Sequence, residues 1–317
     1  MENTSLNWIP LFKDQQVYLY GLHCLFKKIV LNVMLKHNIE SYSKLSRYNS
    51  ICQRSLYYWL DGRRPIPIKH FIYFISISDY SMEDILPRIK YELKGISMGS
   101  GARKKITNLP FFIDEELLYL VGYLFGDGCL KSKEWTIHFC DEYLLQIEKI
   151  NTIIIKLFGI GGKITKFNDN KYELHVYSKA LAIFFNKLFD MPYGKKKRII
   201  MPKIIENDQK LKLSFLRGFS DADGGVPRME EYKIIPNWIL NAPNIEIASK
   251  YQNILLDLKE VLKKQGIIPN IYYHKKNDSY RLIISGKKNI FKCKEIVIFE
   301  HPIKEKRLKE LVNSLPR

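Results

Sequence analysis

Two nine-residue stretches decide the fold: residues 120–128 read LVGYLFGDG, and residues 216–224 read LRGFSDADG. Both begin with Leu, have Gly third and an aromatic residue fourth, and end in Asp-Gly, and they lie 96 residues apart. The residues before each stretch contain no Pro and have helical apolar spacing, which predicts two helices that end at Gly128 and Gly224. A repeat at a fixed interval indicates a duplicated structural unit.

The residues after each stretch repeat one order of elements. A short β-prone run is followed by an amphipathic helix ending in Gly, then by a hairpin, then by an apolar helix. In the first copy these elements are predicted at residues 135–139, 144–159, 163–167, 172–177 and 181–189. In the second copy they are predicted at residues 244–248, 254–266, 270–274, 280–285 and 290–299. The sequence therefore predicts two αββαββα units related by a pseudo-twofold axis.

Asp127 and Asp223 are predicted at the carboxyl ends of their helices, where the helix dipole disfavours an anion by about 0.3–1 kcal/mol. A single Asp-Gly is usually only a turn, but two copies in matching helices disfavour that interpretation. Gly122 and Gly218 would allow the helices to pack closely, so that the carboxylates converge. A hard divalent cation would compensate for their charge.

The paired stretches resemble LAGLIDADG motifs, and the chain from about residue 110 onward is similar to the two-motif, monomeric homing endonucleases. Residues 280–284 (YRLII) and 301–304 (HPIK) fit the same family pattern, whereas the first motif has Phe125-Gly126 in place of the acidic-alanine pair. The resemblance implies an α+β fold in which two LAGLIDADG repeats form a DNA-binding saddle. It also implies site-specific, metal-dependent cleavage of double-stranded DNA across the minor groove.

The same resemblance implies a set of site residues. Asp127 and Asp223 would be catalytic ligands of Mg²⁺, with Mn²⁺ as an alternative, and the carbonyls of Gly126 and Ala222 would lie nearby. Lys250, at the end of a predicted strand, would be the basic residue that assists cleavage, although an exposed structural lysine is the alternative. We align Cys140 with this lysine in the first copy, which predicts that the two strands are cut at different rates.

The charge of the chain also favours a polyanionic partner, because 51 Lys and Arg residues against 33 Asp and Glu residues give a net charge of +18. Ordinary solvated surface is the alternative for each basic residue taken singly. The residues expected to contact DNA are Lys163, Lys166, Lys171, His175, Lys195, Lys196, Lys197, Arg198, Arg228, Tyr272, His274, Lys275, Lys276 and Arg281.

The amino-terminal residues 1–95 have no catalytic pattern. Residues 17–35 are predicted as one helix, and residues 42–46 and 53–60, separated by a turn at Asn49-Ser50, are typical of a helix-turn-helix. In that interpretation Gln53, Arg54, Arg63 and Arg64 bind DNA; a small helical packing domain is the alternative. We expect a basic linker at residues 96–109, the first repeat at residues 110–200 and the second at residues 201–317.

Several classes of protein are disfavoured. No apolar run is long enough for a membrane span, and the first ten residues do not look like a secretory signal. Five scattered cysteines without a CxxC pair favour buried thiols in a reducing compartment. We expect a cytoplasmic, nucleoid-associated monomer, with an organelle left open. Because the chain begins with Met1 and does not end in His-Asn, it is expected to be free-standing rather than an intein. The alternative functions are a non-cleaving transcription regulator and an intron RNA maturase.

Overall fold

The structure, a computed structural model, describes residues 6–99, 105–168, 171–228 and 244–315. The chain divides into two compact units. The first contains the residues up to 112 and two short segments, 157–160 and 178–184, and the second contains the rest. Part of the expected linker, residues 100–104, and the hairpin residues 169–170 lie outside the described residues. The borders predicted between the repeats stay predictions.

The first unit is mainly helical, as predicted, but it also contains a small sheet that the sequence did not indicate. Its helices are α1 (His23–Lys36), α2 (Tyr42–Tyr48), α3 (Gln53–Leu60), α4 (Ile68–Ile77) and α5 (Met82–Glu92). Its strands are β1 (Tyr18–Tyr20), β2 (Ile66–Pro67) and β3 (Gly95–Ser97), in the antiparallel order β2-β1-β3. Phe26 packs against Phe71 and Phe74 in its core, with ring centroids 6.3 and 5.3 Å away.

The helix predicted at residues 17–35 begins only at His23, because the residues before it form β1. Gly21 has a φ of 90°, and a side chain there would collide with the carbonyl of Glu92. The segment expected as a linker is also more ordered than its composition suggests. Its residue Ile96 exchanges two backbone hydrogen bonds with Thr107. Long-range strand pairing therefore overrides the local preference in both places.

The helices expected on either side of Asn49-Ser50 are present as α2 and α3. The Ser41 hydroxyl caps α2 by accepting a hydrogen bond from the Lys44 amide, and Ser50, with a φ of 52°, turns the chain toward α3. Leu56 of α3 is fully buried. The two helices and their turn thus lie where predicted, while their assignment as a DNA-binding helix-turn-helix stays a prediction.

The duplicated part of the chain confirms the predicted αββαββα order, and it adds one helix at its end. The first copy contains α6 (Glu115–Asp127), β4 (Gly128–Lys131), β5 (Thr136–Asp141), α7 (Leu144–Phe158), β6 (Lys163–Asn168), β7 (Lys171–Tyr177) and α8 (Lys179–Phe189). The second contains α9 (Gln209–Asp223), β8 (Gly224–Gly225), β9 (Ile245–Ser249), α10 (Gln252–Lys264), β10 (Asn270–His274), β11 (Ser279–Ile284), α11 (Lys287–Glu295) and α12 (Pro302–Ser314).

Each copy forms a four-stranded antiparallel sheet with the same strand order. The first sheet is β4-β5-β7-β6 and the second is β8-β9-β11-β10. Alternate residues of each central strand are buried, as Ile137 and Phe139 are in β5 and Leu282 and Ile284 are in β11. One face of each sheet therefore packs on the core, and the other carries the polar side chains.

Helices α6 and α9 pack backbone to backbone because glycines lie where they meet. A Cβ atom at Gly122 would overlap the carbonyl of Phe215, and one at Gly218 would overlap the carbonyl of Tyr119. Each helix begins with an aspartate cap, since Asp114 and Asp208 accept hydrogen bonds from backbone amides of the first turn. We call this contact between α6 and α9 the helix seam. No helix among the described residues is long and apolar enough to cross a membrane.

Candidate metal centre and nucleic-acid interface

The helix seam brings the two motif aspartates together. Asp127 is the last residue of α6 and Asp223 is the last residue of α9. The seam continues to this end, because a Cβ atom at Gly126 would lie only 3.2 Å from Oδ2 of Asp223. Both carboxylates are half-buried. The predicted convergence of one acidic side chain from each copy is thus present in the structure.

Burial and nearby negative charge make these carboxylates hard to ionise. Burial raises the pKa of Asp127 above its ordinary value. Burial, followed by the nearby charge of Asp127, raises the pKa of Asp223 to about 7. A cation that binds between carboxylates held in this way stabilises their ionised form.

Two lysines lie at equivalent places on the two helix ends. Nζ of Lys196 donates to the carbonyl oxygens of Leu124, Phe125 and Gly126, at 3.3, 2.7 and 2.6 Å. Nζ of Lys304 donates in the same way to the three corresponding carbonyls of α9. Those acceptors are Ser220 at 3.4 Å, Asp221 at 2.5 Å and Ala222 at 3.0 Å.

These lysines are buried cations that the carboxylates partly neutralise. Burial lowers the pKa of both Lys196 and Lys304, and the charges of Asp127 and Asp223 oppose that shift. The last carbonyls of a helix have no partner within the helix, so an ammonium group there satisfies them. The site therefore contains two carboxylates and two amines in pseudosymmetric positions.

Neither Lys196 nor Lys304 was predicted to lie beside the two carboxylates. Lys196 was expected to contact DNA as part of the run at residues 195–198, but its side chain turns inward while Lys195, Lys197 and Arg198 are exposed. Lys304 appeared only as part of a family pattern near the end of the chain. Two considerations could have indicated both lysines. Each helix end needs a cationic donor for its last carbonyls, and the two copies are expected to place that donor equivalently.

The donor set fits a divalent cation. Two carboxylates at adjoining helix ends, with raised pKa values, are the ligands that a hard cation prefers. The carbonyls of Gly126 and Ala222, expected to lie near the metal, accept hydrogen bonds from the two lysines. A carbonyl oxygen has two lone pairs, so these contacts leave its second lone pair for another partner.

Cys140 does not align with Lys250, so that part of the sequence prediction is wrong. Gly128 pairs with Phe139, and the equivalent Gly224 pairs with Ile247. Phe139 is therefore equivalent to Ile247. One residue further along, Cys140 corresponds to Ala248, and two residues beyond that Glu142 corresponds to Lys250. The error arose because sequence similarity cannot fix a strand register that cross-strand hydrogen bonds determine.

The environment of Cys140 fits a structural role. Its thiol lies 3.4 Å from the carbonyl oxygen of Asp127, to which it donates. Burial, and then the charge of Asp127, raise the pKa of this thiol to about 11. Lys250 is exposed, directly after β9. Within the described part of the chain, Lys250 forms no hydrogen bond or ion pair with either carboxylate. The catalytic role of Lys250 stays a prediction.

Asp221, the other acidic residue of the second motif, is a buried structural group. Its carboxylate accepts hydrogen bonds from the Tyr119 hydroxyl at 2.6 Å and from the Glu300 amide at 3.0 Å. Lys149 joins the same network through Tyr119 Oη at 3.1 Å and Glu300 Oε2 at 3.0 Å. In the first copy Phe125 takes the place of Asp221, so this network ties the two copies together without being repeated.

A second network lies beside Asp127. Asp141 accepts a hydrogen bond from Tyr123 Oη at 2.5 Å, and its other oxygen lies 3.4 Å from Nε2 of the buried His301. The ring of Tyr143 packs edge-on against His301. These groups line part of a cavity of about 590 Å³ that also contains Asp127 and Lys304. The cavity gives solvent, and hence a substrate, access to one carboxylate.

The residues expected to contact DNA in the hairpins lie mainly on the polar faces of the sheets. In the first sheet Lys163 pairs with His175, and Lys171 lies on the same face. Lys166 pairs with Tyr172 and falls on the opposite side of its strand, so it does not share that face.

In the second sheet Tyr272 and His274 share a face with Arg281. Arg281 is already paired with Glu246, at 3.0 Å. Lys275 and Lys276 are exposed at the hairpin tip, and Arg228 is exposed near the motif helix. Their contacts with DNA stay predictions.

The first unit has its own basic surface. The guanidinium groups of Arg54, Arg63 and Arg64 lie 5.4, 5.6 and 4.8 Å from the ring centre of Tyr58. Gln53 is exposed at the start of the same helix, α3. The three arginines therefore form one patch, which fits the charge that a nucleic-acid contact requires.

The raised pKa of Asp223 predicts a stability that depends on pH. Between the ordinary pKa of 3.8 and about 7, the folded metal-free chain binds a proton that the unfolded chain has released. The free energy of unfolding contributed by this group therefore falls as the pH rises through this window and stays low above it. Replacing Asp223 with Asn should remove that dependence, so the variant should melt above the wild type at pH 8 and near it at pH 4.

The measurement is the difference in melting temperature between wild type and Asp223→Asn in EDTA from pH 4 to pH 8. Titrating groups that do not interact with Asp223 affect both proteins alike and cancel in the difference, whereas Asp127, whose charge raises the pKa of Asp223, ionises more easily in the variant. A difference in melting temperature that stays constant from pH 4 to pH 8 would show that folding does not raise the pKa of the Asp223 carboxyl group, contrary to the described site. Addition of a divalent cation at pH 8 should raise the melting temperature of the wild type only.

Comparison with known proteins gives the following matches. Residues 210–297 match the LAGLIDADG-like domain family. The chain is 31% identical over 194 residues to a subunit of the A-type ATP synthase of Pyrococcus abyssi, a match that covers 60% of this chain and 18% of that protein. It is 26% identical over 208 residues to the glutamine–fructose-6-phosphate aminotransferase of Methanocaldococcus jannaschii, covering 63% and 18%.

The chain thus spans less than a fifth of the length of these two relatives, whose names describe unrelated activities. Among solved structures, the homing endonuclease I-DmoI in complex with DNA and Ca is similar at 18% identity with a TM-score of 0.45. That match covers 62% of this chain and 97% of the other.

Proposed function

This chain carries a LAGLIDADG-like domain, and we propose that it is a metal-dependent endonuclease that cuts double-stranded DNA at a specific site. The observation that supports this proposal is the meeting of Asp127 and Asp223 at the end of the helix seam. A protein that only binds nucleic acid has no use for two carboxylates whose ionisation is opposed by burial. A nuclease needs them, because they hold the cation that phosphodiester hydrolysis requires.

In the proposed mechanism Asp127 and Asp223 hold divalent cations, Mg²⁺ in the first place and Mn²⁺ as a substitute. When bound there, the cation would supply an activated water and would stabilise the charge that develops on the phosphate and the leaving oxygen. The carboxylates belong to different copies, so each copy contributes one ligand for one strand of the duplex. Two motifs in one chain supply both halves of the site, and we propose that the protein acts as a monomer.

Lys196 and Lys304 supply positive charge at the end of the seam where the two carboxylates lie. Each amine is fixed by three carbonyl acceptors, so little conformational entropy remains to be lost when a phosphate arrives. Their burial strengthens any interaction with phosphate oxygens relative to the same contact in water. We propose that they offset phosphate charge beside the cation, the role that the sequence assigned to Lys250.

The polar faces of the two sheets and the arginine patch of α3 would bind the duplex. The net charge of +18 favours phosphate contacts, which position the DNA, while side chains such as Tyr272 and Arg281 reach base edges. Counterion release would make this binding weaken steeply as salt is raised.

The test is incubation of the protein with randomised duplex DNA and Mg²⁺, followed by sequencing of the ends produced. Specific breaks support the nuclease. Retention of a specific sequence without breaks would support a transcription regulator, and binding of folded intron RNA in preference to duplex DNA would support a maturase.

Replacing either inward lysine with Met should unbalance the cutting of the two strands. Met preserves the aliphatic packing and removes the charge, so Lys196→Met and Lys304→Met should each slow one strand by about 10²-fold, the typical effect of losing a fixed donor. A nicked intermediate should then accumulate, on opposite strands for the two variants. Strand-labelled gels measure both rates.

The exposed neighbour Lys197 provides the control, because Lys197→Met should weaken binding without changing the strand ratio. Lys250→Met compares the two assignments of the basic residue directly. If Lys250→Met unbalances the strands and the inward lysines do not, the original prediction is correct and the role of Lys196 and Lys304 is only to cap helices.

A further inference from the structure

A cluster of metal-binding side chains lies on the first sheet, apart from the two motif aspartates. His138 of β5 and Glu173 and His175 of β7 each offer one ligand atom, and these atoms lie within 4.8 Å of one another. His138 and His175 are directly opposite in the strand register, and Glu173 lies two residues before His175 on the same face. These residues have no part in the proposed cleavage step, although His175 is among the residues expected to contact DNA.

The distances fit a compact metal. Oε2 of Glu173 lies 3.3 Å from Nε2 of His138 and 3.3 Å from Nε2 of His175. Two ligands of a tetrahedral Zn²⁺, each about 2.0–2.1 Å from the metal, are separated by about 3.3 Å. The carboxylate oxygen is thus placed at the spacing that a shared metal would give to both imidazoles.

The hydrogen bonds of His138 also point to a ligand. Its Nε2 is buried and forms no aligned hydrogen bond within the described structure, although the carboxylate oxygen is near. Its Nδ1 lies 3.8 Å from the thiol of Cys129, a contact that holds the ring in this orientation. A metal-bound histidine is held in the same way by a partner at its other ring nitrogen.

The packing of the two imidazoles adds to this argument. Their ring centroids are 4.7 Å apart, and all three side chains are less than 20% exposed. Two imidazoles and one carboxylate on rigid, paired strands need little rearrangement to bind an ion. Imidazole nitrogen with carboxylate oxygen is a donor set that suits Zn²⁺ and related transition metals, and it does not suit Mg²⁺.

We propose that His138, Glu173 and His175 form a binding site for a transition-metal ion of the Zn²⁺ class on the polar face of the first sheet. Three protein ligands leave one coordination position for water or another ligand. The site is separate from the pair Asp127 and Asp223 in both residues and metal class. It does not depend on whether the protein cleaves DNA.

The test is titration of the metal-free full chain with Zn²⁺, followed by calorimetry and by melting temperature. We expect one tight site per chain. His138→Gln, Glu173→Gln and His175→Gln should each weaken it by more than about 100-fold, since even outer-shell partners of a metal are worth about 10- to 100-fold. His274→Gln, which changes a histidine on the second sheet, and the double variant Asp127→Asn/Asp223→Asn should bind Zn²⁺ as the wild type does.

X-ray absorption of the Zn²⁺-loaded wild type gives the ligands without any substitution that might disturb folding. Two nitrogen ligands from imidazole and one carboxylate oxygen support the proposal. Sulfur ligands would place the ion at cysteines, and unchanged affinity in the three variants would place it elsewhere; either result overturns the proposal. No Zn²⁺ binding by the wild type, or loss of Zn²⁺ binding in the double aspartate variant, does so as well.

Discussion

Replacing Asp223 with Asn should reduce cleavage of the DNA target by at least about 10³-fold, because a metal ion contributes several kcal/mol of charge stabilisation to phosphodiester hydrolysis. The substitution keeps the shape of the side chain and removes the charge that binds the cation. Asp127→Asn should have an effect of similar size. Binding of the duplex should stay within about threefold of the wild type, because the loss of a negative charge near phosphates does not oppose association.

The measurement is the rate of cleavage in Mg²⁺ on a target selected with the wild-type protein, with binding measured separately in EDTA. Asp190→Asn is the matched control, because Asp190 is exposed, lies outside the site, and has a φ of 56° that Asn also accepts. It should cleave as the wild type does. Cleavage by Asp223→Asn at the wild-type rate would exclude this carboxylate as a metal ligand and remove the main support for the nuclease proposal.

The duplicated architecture was predictable because its signals are local and occur twice. The helix before Gly224, the hairpin around Asn277 and the amphipathic helix ending at Gly266 each have their own pattern, and each has a counterpart earlier in the chain. Agreement between the copies indicated the order of elements where one copy alone would have been ambiguous. The same comparison placed Asp127 and Asp223 at helix ends, as the structure has them.

The parts of the site that were not predictable depend on distant partners. Lys196 belongs to a run of basic residues that resembles solvated surface, and only its contacts with carbonyls about 70 positions earlier distinguish it from Lys195 and Lys197. The cluster on the first sheet has the same origin, because His138 and His175 become neighbours only through the pairing of β5 with β7. The spacing of residues along the sequence does not indicate contacts of this kind, although the unsatisfied carbonyls at each helix end call for a cationic donor.

The amino-terminal unit shows how tertiary pairing changes a correct local prediction. Residues 17–35 have the apolar spacing of a helix throughout, yet Tyr18–Tyr20 join a sheet with residues that the composition marked as a linker. A strand of three residues has little local signal, and its partner strands lie about 50 and about 75 positions away. The helices α1 to α3 of this unit were predicted, whereas α4, α5 and the sheet were not.

The helix seam that positions both carboxylates depends on the absence of two side chains. The Gly218→Ala substitution tests this. Helix propensity predicts that the change stabilises the fold, whereas packing in the seam predicts that it destabilises the fold. In an isolated helix the change from Gly to Ala stabilises by about 1 kcal/mol. In this seam the new Cβ atom would overlap the backbone carbonyl of Tyr119, and backbone cannot move aside as a flexible side chain does. We expect the free energy of unfolding to fall by about 3 kcal/mol or more.

Chemical denaturation of Gly218→Ala against the wild type measures this loss, and Gly122→Ala, whose Cβ atom would overlap the carbonyl of Phe215, should behave alike. Gly225→Ala is the control, because no atom lies within 4 Å of a Cβ atom there and its φ is not positive. That variant should stay within about 0.5 kcal/mol of the wild type. A stabilised Gly218→Ala would mean that α6 and α9 are farther apart than the structure has them. The two carboxylates would then be unable to share a cation, so this measurement tests the geometry on which the proposed activity depends without measuring cleavage.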